Sequence, residues 1–174
     1  MYDTFYRKHI LVIIHQGLSF SKTEIVYKKT KGVDSMKISF SHSIENVEWS
    51  RMKEIYGSVG WKNHDEEKIK KIFQASSVVA IAYGENKITG FGRALSDGVF
   101  NAAIYDVVID KEYQNKGIGQ QIIENLLAQL DDISCVHLVS TAGNEEFYKK
   151  AGFRKMKTGM ARYLNPSLAE EYLQ

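Results

Sequence analysis

With 174 residues, 44% of them hydrophobic and 25% charged, the chain has the size and composition of one soluble globular domain with a real core. A net charge of +2 gives no general attraction to nucleic acid or to a membrane surface. Cys135 is the only cysteine, so an internal disulfide is excluded; together with the lack of a recognisable signal peptide, this leads to the expectation of a reducing, cytoplasmic setting.

Residues 1–35 read as an N-terminal appendage. Ile10–Ile14 and Ile25–Val26–Tyr27 predict two strands joined through a break at Gly17, and Lys28–Gly32 looks like a polar linker. Arg7-Lys8-His9 before the apolar run resembles the start of a secretory leader. The run is too short for one, and far too short to span a bilayer. The appendage is expected to pack on its own domain or to pair with a neighbouring chain. The main domain is expected over 36–166, with 167–174 as a C-terminal tail.

Lys37-Ile38-Ser39-Phe40 predicts a strand, Ser43–Tyr56 a helix and Asp65–Ala75 a second helix with an acidic start. Strands are predicted at Ser77–Tyr83, Ile88–Leu95 and Asn101–Ile109. The turns Gly84-Glu85-Asn86-Lys87 and Ser96-Asp97-Gly98 separate them. A helix over 118–130 carries Ile118, Ile122, Ile123, Leu126, Leu127 and Leu130 at three- and four-residue intervals. A strand at 134–139, a helix at 143–151 and strands near 153–157 and 159–164 follow. Pro166, the only proline, marks the expected domain end.

Two clusters could carry other chemistry. Cys135 and His137 share one face of a strand, but no second pair stands at ligand spacing, so no metal site is expected. Lys149, Lys150, Arg154, Lys155 and Lys157 form the densest basic cluster. A nucleic-acid surface would need a larger patch with interleaved aromatics, so a solvated face is expected.

The strongest chemical signal is Asp106-Val107-Val108-Ile109 followed by Gln114-Asn115-Lys116-Gly117-Ile118-Gly119. An apolar strand here hands off through glycines to a helix start. Free backbone N–H groups and the positive end of the helix dipole make that junction a site for phosphate. The dinucleotide fingerprint needs a third glycine where Ile122 stands. The nucleoside triphosphate loop needs Gly-Lys-Ser/Thr, whereas Lys116 precedes Gly117. Both are disfavoured.

Gln114-x-x-Gly117-x-Gly119 resembles the acetyl-CoA loop of the GCN5-related N-acetyltransferases, the GNAT family. Asn144 to Phe153, with Phe147-Tyr148 and Gly152-Phe153, is similar to that family's second signature. The resemblance covers roughly residues 36–164. Residues 90–108 are similar to a subgroup including plant plastid enzymes that acetylate arylalkylamines and protein lysines. The implied fold is α/β (α+β): a mixed sheet of about six to seven strands, about four flanking helices and a splayed central strand pair. The implied activity is acetyl transfer to a primary amine, either a small molecule or a protein lysine or N-terminus. The alternative is a CoA-binding sensor without turnover.

The resemblance also implies residue roles. Gln114, Asn115, Lys116, Gly117, Ile118, Gly119 and Gln120 would hold the pyrophosphate. Val107, Val108 and Ile109 would pair with the pantetheine arm, with a main-chain N–H near Val108 holding the oxyanion. Asn144 would bind pantetheine, and Tyr148 would protonate the leaving thiolate. For the base, Asp106, Tyr105 and a water relay stay open, and bonding of Asp106 to neighbouring backbone is the bland alternative for that residue. Plant members tend to have an acid where this chain has Thr141. Trp61, Phe91, Arg93, Phe100 and Tyr105 are candidates for an acceptor pocket. Acetyl-CoA and an amine are the expected partners, without metal, nucleic acid or membrane; a homodimer stays open.

Overall fold

A computed structural model describes residues 37–174, together with the backbone of Lys22–Thr23. The strands expected at 10–14 and 25–27 lie outside the described residues. The chain divides after Thr141 into two units.

In the first unit, six strands lie side by side in chain order: β1 (Lys22–Thr23), β2 (Ile38–Ser41), β3 (Val78–Gly84), β4 (Lys87–Ser96), β5 (Asn101–Ile109) and β6 (Cys135–Leu138). Every neighbouring pair is antiparallel except β5 and β6, which run parallel. A parallel pair needs a crossover. Here it is a 3-10 turn at Lys111–Tyr113 and helix α3 (Ile118–Ala128). The hairpin between β3 and β4 puts Glu85 and Asn86 at φ +52° and +65°, the two positive angles that a tight twisted hairpin demands.

Helices α1 (Trp49–Ser58) and α2 (Glu66–Gln74) cover one face of the sheet. Met52, Ile55 and Tyr56 of α1 and Ile69 and Phe73 of α2 pack with Val79, Ile81, Ile88, Phe91 and Val108 in one core. α3 covers the other face. Gly90 and Gly92 alternate with Phe91 along β4 and let α3 come close. A Cβ on Gly92 would sit 2.7 Å from Ile122 and 3.0 Å from Leu126.

The first helix starts at Trp49, six residues later than Ser43, where the apolar spacing predicts it. Ser43 and Asn46 explain the delay. The Ser43 hydroxyl accepts the Glu45 N–H at 3.1 Å, and Asn46 adopts φ +58°, which no helix tolerates. α2 starts as its sequence predicts, with the Asp65 carboxylate accepting the Lys68 N–H at 2.8 Å.

The second unit, Ala142–Gln174, holds α4 (Glu145–Lys149) and α5 (Pro166–Tyr172). The strands predicted near 153–157 and 159–164 are not formed. Met156, Met160 and Leu164 are exposed, so no buried face fixes a register for them. The segment read as a tail is helical. Asn165 caps it by accepting the Ser167 N–H at 3.0 Å, and Pro166 takes the first helical position, where its missing N–H costs nothing.

Candidate active site

The parallel pairing of β5 with β6 lasts only four residues, from Asn101 opposite Cys135 to Ile104 opposite Leu138. β5 continues to Ile109. Among the described residues no strand pairs with that side of Tyr105–Ile109. The central pair is splayed, and along Tyr105–Ile109 its open edge lacks a strand partner among the described residues.

A β-bulge accompanies the splay. Arg93 stands opposite Tyr105, yet Phe91 stands opposite Val108, so Asp106 and Val107 together face the single residue Gly92. Asp106 absorbs the extra length at φ +51°, a left-handed conformation that costs a non-glycine residue roughly 1 kcal/mol. The bulge changes which side chains share a face. Tyr105 and Val108 both lie on the face of Phe91 and Arg93; Phe91 and Val108 pack in the core with α1 and α2, whereas Tyr105 stays exposed.

The ladder also decides which main-chain groups face the open edge. Asp110 N–H donates to Thr89 O at 2.9 Å, which makes Phe91 and Val108 the pair that exchanges hydrogen bonds. The N–H and C=O of Ile109 therefore point to the open side. The Gln114 side-chain amide reaches that Ile109 carbonyl at 3.2 Å.

Among the described residues the Asp106 side chain is held by another side chain and not by neighbouring backbone, as the bland alternative would have it. Its carboxylate pairs with Arg93 Nε, both side chains being 12% exposed. The Arg93 guanidinium also lies 5.0 Å from the centre of the Tyr105 ring, and its Nη1 reaches the Ser76 hydroxyl at 3.4 Å.

Two residues that the sequence reading missed belong beside this ion pair. Tyr56 has its ring 5.0 Å from Phe91 and 5.8 Å from Trp61, and His64 stacks on it at 4.3 Å and 7°. Among the described residues, the Tyr56 hydroxyl and His64 Nδ1 are buried without a close hydrogen-bond partner, the Tyr56 hydroxyl lying near the Asp106 carboxylate. Burial, and then the negative charge of Asp106, push the Tyr56 phenol far above its ordinary pKa, so it stays protonated. Tyr56 fits the apolar spacing of its helix and so reads as plain core; His64 stands alone before the Asp65 cap and gives no signal. Of the aromatic candidates, Phe91 and Trp61 join this cluster and Tyr105 joins Arg93. Phe100 sits 64% exposed just before β5.

The glycine loop opens α3 as the spacing predicts. Gly117 adopts φ +80°, and nothing lies within 4 Å of where its Cβ would be. The glycine is required by backbone conformation and not by crowding within the chain. The first helical bond is Gln121 N–H to Gly117 O at 3.3 Å, so the amides of Ile118, Gly119 and Gln120 precede the helical ladder. Asn115 is also left-handed, at φ +60°, and Lys116 Nζ lies 4.9 Å from the Tyr113 ring centre. Successive amides at a helix start, with a lysine beside them, can cradle an anion.

In the second unit, Tyr148 lies in α4, edge-on to Phe147 at 4.9 Å and to Phe153 at 6.2 Å. Burial pushes its phenol above the ordinary value. Asn144 occupies the position before α4, and its carbonyl accepts the N–H of Phe147 and of Tyr148. Gly152, at φ +89°, follows the helix as the sequence predicts. Among the described residues, no group of three or more His, Cys, Asp or Glu side chains is placed to hold a metal ion. No described helix is long and apolar enough to cross a membrane.

Residues 75–155 match the model of the acetyltransferase (GNAT) domain. Uncharacterized N-acetyltransferase ycf52 of Pyropia yezoensis is 34% identical over 145 residues, 80% of this chain and 83% of the relative. The chain belongs to the GNAT acetyltransferase family. Serotonin N-acetyltransferase 2, chloroplastic, of Oryza sativa subsp. japonica is 32% identical over 108 residues, covering 59% of this chain and 54% of that protein. A solved GNAT-family acetyltransferase of Streptococcus pneumoniae TIGR4 shares the fold at TM-score 0.64. It is 23% identical, over 74% of this chain and 98% of its own.

The chloroplastic relative overturns the cytoplasmic expectation. That expectation rested in part on a single cysteine, which suits a reducing setting without naming a compartment.

Proposed function

We propose that this protein is an acetyl-CoA-dependent N-acetyltransferase, acting in a plastid, that moves an acetyl group directly to a primary amine within a ternary complex. The observation that carries this reading is the open edge of β5 beside the Gly117 loop. An edge that lacks a strand can take an extended amide-bearing chain, and pantetheine is one. The amides of Ile118, Gly119 and Gln120, with Gln114, Asn115, Lys116 and Gly117, would receive the pyrophosphate at the helix N-terminus. Val107, Val108 and Ile109 would flank the pantetheine. Because the N–H of Val108 is directed to β4, the oxyanion donor in this reading is a neighbour on the open side.

The acceptor must first lose a proton, since an alkyl ammonium has a pKa of about 10. Its nitrogen then attacks the thioester carbon and the carbon–nitrogen bond forms, the nitrogen gives up its second proton to water, and collapse of the oxyanion breaks the carbon–sulfur bond. The leaving thiolate takes a proton, for which Tyr148 is the candidate donor and Asn144 a candidate pantetheine ligand. Asp106 is already paired with Arg93 and Thr141 stands where plant members tend to have an acid, so proton removal through a water relay fits this chain best. An aromatic cluster beside one ion pair suits an amine attached to a flat apolar group, in line with the arylalkylamine subgroup; a lysine side chain is the second substrate class.

The test incubates the full chain with acetyl-CoA and a panel of arylalkylamines and lysine peptides, following free thiol and acetylated product together. Equal amounts of thiol and acetyl-amine are expected. Binding of acetyl-CoA with no acetylated product from any amine or peptide would instead favour a CoA sensor.

A further inference from the structure

We propose that Arg51 of α1 is a positioning residue for the phosphate loop, an inference that rests on the acetyl-CoA reading above. Arg51 is a charged residue only 7% exposed, on a helix that otherwise buries apolar side chains and Tyr56. Its three guanidinium nitrogens all have partners. Nη2 pairs with the Asp110 carboxylate, Nε donates to Ile88 O at 3.2 Å and Nη1 donates to Glu54 at 2.9 Å.

Asp110 is itself 5% exposed and is the residue that turns β5 into the loop. Its other carboxylate oxygen accepts the Glu112 N–H at 3.0 Å, and its carbonyl accepts the Tyr113 N–H at 2.8 Å. These bonds build the 3-10 turn that delivers the chain to Gln114. α1 holds the same turn at a second point, where the Ser58 hydroxyl accepts the Lys111 N–H at 3.4 Å. The start of the loop is thus fixed from α1.

A buried ion pair is weak evidence for stability, because desolvation offsets most of the attraction. An apolar pair could fill the same space. It could not direct a carboxylate onto the Glu112 amide. Arg51 also neutralises a buried anion four residues before a loop that is read as receiving a diphosphate. Without Arg51, that anion would be unpaired and would oppose the incoming charge, and the turn would lose its anchor.

The experiment is calorimetric titration of the full chain with CoA, on variants whose fold is checked by circular dichroism. Arg51→Met and Arg51→Lys are each expected to weaken CoA binding by about tenfold, the scale of a modest misplacement of binding groups. The exposed partner Glu54→Gln is expected to stay within about twofold of the unsubstituted chain, as a rim charge should. Adding Asp110→Asn to Arg51→Met is expected to recover part of the loss, since the unpaired anion is gone. Should Arg51→Met fail to fold, Arg51→Lys, which keeps the charge but not the fork of donors, decides alone. Folded variants that bind CoA as tightly as the unsubstituted chain would overturn the positioning role while leaving the donor reading intact. An unsubstituted chain that does not bind CoA would overturn the donor reading, and this inference with it.

Discussion

Asp106 joins an unusual backbone geometry to an ion pair. It takes up the bulge in a left-handed conformation, and its carboxylate pairs with Arg93 on the strand it bulges away from. Regular alternation places Asp106 opposite Tyr105 and Val107. The bulge instead brings Tyr105 and Val108 to one face, so parity counted along the sequence fails at this stretch. Tyr148 behaves differently, since its identity and its place in the Phe-Tyr signature are legible without a structure. Burial holds its phenol protonated beyond the ordinary value of about 10. Tyr148→Phe is therefore expected to lower kcat by roughly a hundredfold, the scale of a lost general acid, with little change in KM for acetyl-CoA. Any basic limb of kcat that belongs to Tyr148 should lie above pH ~10, because a raised pKa keeps the acid form present through neutral pH. Thiol release followed across pH checks both points, and unchanged turnover in the variant would remove Tyr148 from the acid role.

At the scale of elements, β4 matters as much as the loop. Gly90 and Gly92 let α3 and the strand that forms the open edge come close to the β4 backbone. A Cβ on Gly90 would meet Val108 O at 2.9 Å and Ile109 Cα at 3.3 Å, both backbone atoms that a rotamer change cannot move. Gly90→Ala is expected to cost about 1–3 kcal/mol of stability. It should also weaken acetyl-CoA binding, because it pushes β5 outward at the edge the donor needs. Thermal unfolding and CoA titration measure the two effects, and an unchanged midpoint and affinity would contradict this account of the close approach. The strands from Val78 to Ile109 and helix α3 are legible in the sequence because glycine and asparagine turns bracket them and their apolar positions have one dominant period. Elements without those brackets misled. Residues 43–48 carry apolar spacing, but their Ser and Asn side chains and backbone favour turns. Residues 153–164 look strand-like, yet bury almost nothing that could hold a ladder. The glycine loop and the strand before it were legible because they depend on glycines and on one apolar period. The Tyr56–His64 cluster was not, because the two meet only through folding.

For the whole molecule, family membership and fold agree with the glycine loop, while composition misled about compartment. A net charge of +2 and one cysteine describe many settings equally well. The central claim is that the open edge of β5 and the start of α3 together form one donor site. The structure of the chain with CoA bound tests it most directly. The pantetheine is expected to lie along Tyr105–Ile109, with main-chain hydrogen bonds to Ile109, and the pyrophosphate to rest on the amides of Gly117 to Gln120. CoA held elsewhere, or seated in the loop with the β5 edge left uncovered, would contradict it.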